Sequence, residues 1–319
     1  MKLTLDLIYK TTKNLHHWFA KTPIEYSKPL SDLLKVPVIF KCEYLQPSGS
    51  AKLRGAYILL STLTESQRKQ GVAVCCCGDE AIAIAYVASL LNIPCDLYTP
   101  SSLSSLHKQK ILSLGAHLHI APYEHLHIAR AWSQAKIDKQ QTLSLHNNPL
   151  RIAGSGGSLA LELIKDIPQL KHVIVPVGEG DMMAGLTLFF RKKRPAVEVI
   201  GCEHAQAPAL TNALANKEKF SLFSPTSSIA QEISSHLCPL ALTTLSPTSP
   251  FVSLHQDEEI LEGMRWMLKH HQCLVDPSAA LAIASCLQGR LPPMEGPTAV
   301  ILPGKNVDSK YLHQLLRAT

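Results

Sequence analysis

A chain of 319 residues with 46% hydrophobic content can bury one large or two moderate α/β cores. Its 31 Lys and Arg against 25 Asp and Glu leave a formal charge of +6, but the charges are scattered, and no basic run interleaved with aromatics marks a nucleic-acid surface. Nine cysteines without a Cys-x-x-Cys pair suit a reducing cytosol better than a disulfide framework, and with no signal-peptide core and no apolar run long enough for a bilayer the expectation is a cytoplasmic protein.

In chain order, residues 1–20 read as a short helix with an aromatic tail at His16, His17, Trp18 and Phe19. An apolar, β-branched strand is predicted over 36–43. Ser48, Gly49 and Ser50 then bend and cap the chain before helical spacing takes over at 53–60, which puts Lys52 in the first turn of a helix. The positive end of the helix dipole disfavours an ammonium there and helps keep the amine neutral enough to act as a nucleophile. The plainer alternative is an exposed lysine near a helix start.

Alternation follows: strands over 72–77, 95–98, 117–120 and 142–145, with helices over 80–91, 105–114 and 124–135 between them. A second series has helices over 158–165, 181–191 and 207–215 and strands over 172–175 and 197–202. Such alternation predicts βαβ units, parallel sheets and a ligand cleft where they meet. The basic residues Arg191, Lys192, Lys193 and Arg194 fall at a helix end and complement its dipole. Residues 216–256, rich in Ser, Thr and Pro, resist assignment. Helices over 257–271, 277–286 and 308–316 and a strand over 298–302 complete the reading. His117, His119, His125 and His127 read as a polar sheet edge rather than metal ligands.

The stretch from Pro47 to Ala56, with Ser50, Lys52, Arg54, Gly55 and Ala56 in register, resembles the Ser-x-Lys-x-Arg-Gly-Ala signature of the fold-type II pyridoxal phosphate (PLP) enzymes, the tryptophan synthase β-like family. It is most similar to the threonine/serine dehydratase and serine racemase branch, and the resemblance runs over almost the whole chain. It implies two three-layer α/β domains with mostly parallel sheets and an active-site cleft between them, the small domain (71–145) being inserted into a large cofactor domain (1–70 and 146–319). It also implies that Lys52 holds the cofactor as a Schiff base.

The resemblance assigns further residues. Ser50, Cys76, Gly78 and Glu80 fall where the family grips the substrate carboxylate, Asp79 stands where an Asn meets the cofactor's phenolic oxygen, and Cys77 falls where racemases carry a second acid/base. Asp79 and Glu80 also read simply as helix caps. Residues 153–158 resemble an architectural glycine turn, not a nucleophile elbow. Gly178, Glu179, Gly180 and Asp181, followed by Met182, align with a tetraglycine loop that wraps the phosphate, so two glycines of that pattern are acids here. A carboxylate about 5 Å from a phosphate dianion repels it by roughly 6 kcal/mol at an effective dielectric of about 20. Pro303 replaces a serine that meets the pyridine nitrogen. Glu203, Ala207 and Ala209 match a cation site without its expected Asp, so no metal is assigned.

Two readings of function follow. One is a PLP-dependent ammonia-lyase converting L-Ser or L-Thr to a 2-oxo acid and ammonia, acting as a homodimer on a small amino acid. The other is an inactive homologue that binds PLP poorly or not at all and serves a binding or regulatory role, with Lys52 paired to Asp79, Glu179 or Asp181. A third, an altered site whose acids select a cationic or phosphate-free ligand, is also open.

Overall fold

The computed structural model describes residues 1–124, 147–216 and 237–308, with positions 129, 133, 229, 311, 312 and 315. The helices predicted at 124–135 and 308–316 and the strand at 142–145 lie wholly or mostly outside the described residues, as do His125 and His127.

Helix α1 (Leu5–Trp18) begins where the Thr4 hydroxyl accepts from the Leu7 N–H. Strand β1 (Ile24–Tyr26) pairs antiparallel with β2 (Val38–Lys41), and α2 (Lys28–Leu34) joins them. The chain then turns into α3 (Lys52–Ser61), with Lys52 as its first residue, as expected. Helix α4 (Glu65–Gln70) leads into β3 (Val72–Cys75), α5 (Gly78–Leu90), β4 (Cys95–Thr99), α6 (Ser105–Ser113) and β5 (His117–Ile120), whose strands form a parallel sheet in the order β3-β4-β5.

Helix α7 (Pro149–Ile152), a π-helical turn at Ala153–Gly157 and α8 (Ser158–Asp166) return the chain to the larger sheet. There follow β6 (His172–Pro176), α9 (Asp181–Lys193), β7 (Glu198–His204), α10 (Ala209–Asn216), α11 (Pro239–Leu245) and β8 (Val252–His255). Helices α12 (Asp257–His271) and α13 (Pro277–Leu287) and strand β9 (Thr298–Ile301) complete it. The large sheet runs β1-β2-β9-β6-β7-β8 and is parallel except at β1. Two mostly parallel sheets with packed helices match the expected α/β class.

Val173, Ile174 and Val175 are buried without alternation because helices cover both faces of their strand. Leu159, Leu186 and Phe189 pack on one face with Val173 and Val175, and Leu30, Met264 and Ile283 on the other with Ile174 and Val300. A third core joins Tyr57 of α3 to Ile84 of α5 and to Val74 and Leu97 of the small sheet. Strand β8, unassigned from sequence, reverses the usual pattern: Ser253 and His255 face inward and meet Ser285 Oγ at 2.8 and 2.9 Å. The carboxyl ends of the parallel strands β2, β9 and β6 open on one side of the sheet, the usual ligand side of an α/β fold.

What fixes α3 there is Arg54, only 1% exposed. Its guanidinium donates to both oxygens of Glu43 (2.6 and 2.7 Å) and both of Glu162 (2.8 and 2.9 Å). Lys41 Nζ and His16 Nε2 reach Glu162 at 2.6 and 2.7 Å. Burial works against the Glu162 charge, but His16, Arg54 and Lys41 hold its carboxyl well below the usual range. Removing one partner of such a cluster leaves buried charges unanswered. Arg54→Met is therefore expected to cost about 3–5 kcal/mol in urea denaturation.

Candidate functional site

The turn before α3 is stapled to the loop after β9: Ala51 N–H donates to the Pro303 carbonyl (2.8 Å), and Ser50 bridges Gly304. The segment after β6 enters α9 through Gly180, which adopts φ +84° as N-cap, a conformation open to glycine. These segments and α5 enclose a cleft of about 790 Å³, counting the space open at its mouth. Ser50, Lys52, Asp79, Gly178, Glu179, Gly180, Asp181, Met182 and Pro303, all singled out from sequence, line it together. Cys76, Cys77, Gly78 and Glu80 do not, although Glu80 reaches in through its ion pairs. Cys76 is buried, and burial, with Glu80 nearby, pushes its thiol well up.

A residue not singled out from sequence holds the centre. Arg151, on α7 and 3% exposed, places Nη2 at 2.8 Å from Glu80 Oε2 and 2.7 Å from Glu179 Oε2, and Nε at 2.9 Å from Asp181 Oδ2. Its position is set by backbone packing. A Cβ on Gly156 would stand 1.8 Å from the Met182 carbonyl oxygen, and one on Gly185 2.4 Å from the Gly157 nitrogen, so the glycine turn after Arg151 lies directly against α9. The available signal was charge balance: two acids added to one loop need a cation, and Arg151 stands alone in the apolar run Pro149-Leu-Arg-Ile-Ala153.

Lys52 Nζ lies 3.2 Å from Glu80 Oε2, correcting the expected pairing with Asp79, Glu179 or Asp181. Burial depresses its basicity, but Glu80, with Glu179 and Asp181, outweighs burial and Arg151, so the amine stands above its ordinary range. Neighbouring carboxylates thus set the direction of that shift. Asp79 instead accepts from Asn306 Nδ2 at 2.6 Å, and Lys110 donates to the same Asn306 through its Oδ1. Asp276 caps α13 by accepting from Ala279 N–H at 2.8 Å.

Outside the cleft, Glu203 accepts from the Leu210 and Thr211 N–H groups at 2.6 and 2.9 Å and so anchors α10. His119 meets Asp96 at 2.7 Å and stacks on Tyr98 at the edge of the small sheet. No group of three metal-ligating side chains is assembled among the described residues, and no described helix is long and apolar enough to cross a membrane.

The two sheets and the lysine-bearing cleft define a fold-type II α/β scaffold. Residues 16–304 match the family described as pyridoxal-phosphate dependent enzyme, and the chain belongs to that family, whose members depend on PLP. It is similar to the L-threonine ammonia-lyase of Geobacter sulfurreducens, 28% identical over 97% of this chain and 77% of that one. It is also similar to the L-threo-3-hydroxyaspartate ammonia-lyase of Saccharomyces cerevisiae, 26% identical over 97% of this chain and 95% of that one. The fold is that of maize serine racemase (TM-score 0.89, 23% identity, 98% of this chain and 97% of that one) and of the Dictyostelium discoideum serine racemase (TM-score 0.84, 24% identity, 96% and 99%).

The residues present do not fit the cofactor. At the α9 N-terminus, where a phosphate would use the helix dipole, Glu179 and Asp181 already stand and are answered by Arg151. Pro303 offers a ring nitrogen no side-chain partner, and Asp79 is turned to Asn306.

Burial pushes the Asp181 carboxyl up to about 6, against Arg151 and Lys52 and with help from Glu179 and Glu80. A carboxyl raised on folding favours the fold below its unfolded value of 3.8 and opposes it as pH rises through about 6. Asp181→Asn is expected to stabilise the protein at pH 8 by on the order of 1–3 kcal/mol, a gain that disappears by about pH 4, both read by urea denaturation.

Proposed function

We propose that this chain is a member of the family from which cofactor chemistry has been withdrawn, and that its cleft serves binding rather than turnover. The observation that carries the reading is the guanidinium of Arg151 seated among Glu80, Glu179 and Asp181. A phosphate dianion would have to displace carboxylates from that guanidinium and then lie beside them. Lys52 serves as a counter-ion of Glu80.

A second reading, an ammonia-lyase acting on L-Ser or L-Thr, is favoured by Lys52 lining the cleft with its side chain 39% exposed and by the ammonia-lyases among the relatives. It requires both ion clusters to open before a cofactor can enter.

The two are separated by absorbance spectra of wild type and Lys52→Ala with saturating PLP. The expected outcome is no Lys52-dependent visible band; such a band overturns the first reading. The triple variant Arg151→Leu, Glu179→Gly, Asp181→Gly, which removes the acids together with their counter-ion, is expected to bind PLP at least about 100-fold more tightly than wild type, half of the repulsion estimated above corresponding to that factor. Equal affinity would show that the carboxylates are not the obstacle.

The nine free cysteines support a reducing compartment and so a cytoplasmic location. A homodimer is the assembly we infer from family membership, to be read by light scattering.

A further inference from the structure

Away from the cleft, two thiols from distant parts of the chain come together where the end of β2 meets the end of α12. Phe40 of β2 packs edge-on against the His271 ring at the last position of α12, with centroids 4.9 Å apart, and Ser27 holds that imidazole at 2.9 Å. Cys42 lies two residues beyond Phe40 and faces the same core. Cys273 lies two residues beyond His271, after Gln272 turns the chain out of the helix at φ +48°, and packs against that core as well. The register that joins Phe40 to His271 therefore carries the two cysteines to one place.

Tyr44 supplies a separate observation. Its hydroxyl hydrogen-bonds both the Cys42 and the Cys273 thiols, so one buried group touches the two sulfurs. The pair is also asymmetric: Cys42 is 1% exposed, whereas Cys273 is partly open to solvent. Burial pushes the Cys42 thiol up to about 11, against the Tyr44 hydroxyl and Lys41, which leaves Cys273 as the sulfur an oxidant reaches first. Cys202 and Cys286 also lie near each other, but both are buried and offer no such entry.

We propose that Cys42 and Cys273 form a peroxide-sensitive dithiol, with Cys273 oxidised first and Cys42 closing the disulfide. The Cys273 sulfur attacks hydrogen peroxide: an S–O bond forms, the O–O bond breaks, and the released hydroxide takes the thiol proton as water. The Cys42 sulfur then displaces the sulfenic hydroxyl, which leaves as a second water with the Cys42 proton. Two thiols lose two electrons, the peroxide gains them, and no other reactant is required. The link ties β2 to the short turn before α13, whose Asp276 donates its N–H to the Gly304 carbonyl at 3.0 Å and lines the cleft. The inference stands whatever the cleft holds.

The test uses the full chain, reduced and freed of reductant, treated with hydrogen peroxide at pH 7.5, alkylated and mapped by peptide mass spectrometry. A Cys42–Cys273 linked peptide that dithiothreitol reverses is expected, forming at least about tenfold faster than in concentrated urea, where the fold no longer holds the sulfurs together. Cys42→Ala is expected to leave Cys273 as a sulfenic acid that dimedone captures, and Cys273→Ser to raise the peroxide dose that oxidises Cys42 by at least about tenfold. No linked peptide, a link that forms as fast in urea, or Cys42 oxidised as readily in Cys273→Ser overturns the inference.

Discussion

The buried guanidinium of Arg54 is the interaction on which the rest of the structure depends. It ties α3 to Glu43 after β2 and to Glu162 of α8, so three stretches of chain meet at one planar group, and Glu162 brings in Lys41 and His16 of α1 behind it. Because a fork of N–H donors accepts carboxylates only in fixed directions, α3 has little freedom to rotate. Lys52, two residues earlier, is delivered to the cleft whatever task it has there. Scaffold and site are therefore independent: the Arg54 cluster balances its own charges, and the cluster around Arg151 is built from a different set of groups.

That independence lets the family fold hold whichever groups line the cleft. In an anion cup, the field of a helix N-terminus acts on the ligand. Here the same field acts on Asp181, the first residue of α9, and on Glu179 just before it, so the attraction is satisfied within the protein. The guanidinium that completes the arrangement arrives from a short helix distant in sequence.

Much of the fold was legible because strands and helices alternate with clear apolar runs, and the lysine turn, the acid-bearing loop and Pro303, singled out from sequence, line one cleft. Strand β1 was not legible: Ile24, Glu25 and Tyr26 are all exposed at a sheet edge, so no alternation marks them. Strand β8 was hidden for the opposite reason, since its inward residues are polar and satisfied by Ser285. In the site, ion-pair partners escaped because periodicity reports only on one element at a time. The Glu80 pairing with Lys52 was not foreseen, and Arg151 lay two residues before a turn read as architectural.

The contact of the Gly156 turn with the main chain at Met182, and of Gly185 with Gly157, has a consequence for how the charge cluster behaves. Backbone touching backbone has no rotamer to change, so the stem of Arg151 and the origin of α9 form a single stiff piece. The backbone spacing between Arg151 and the turn that carries Asp181 is then a fixed gauge, and a guest that does not match the ion cluster must be met by side-chain rotamers or by α5, which carries Glu80 from the small-sheet side.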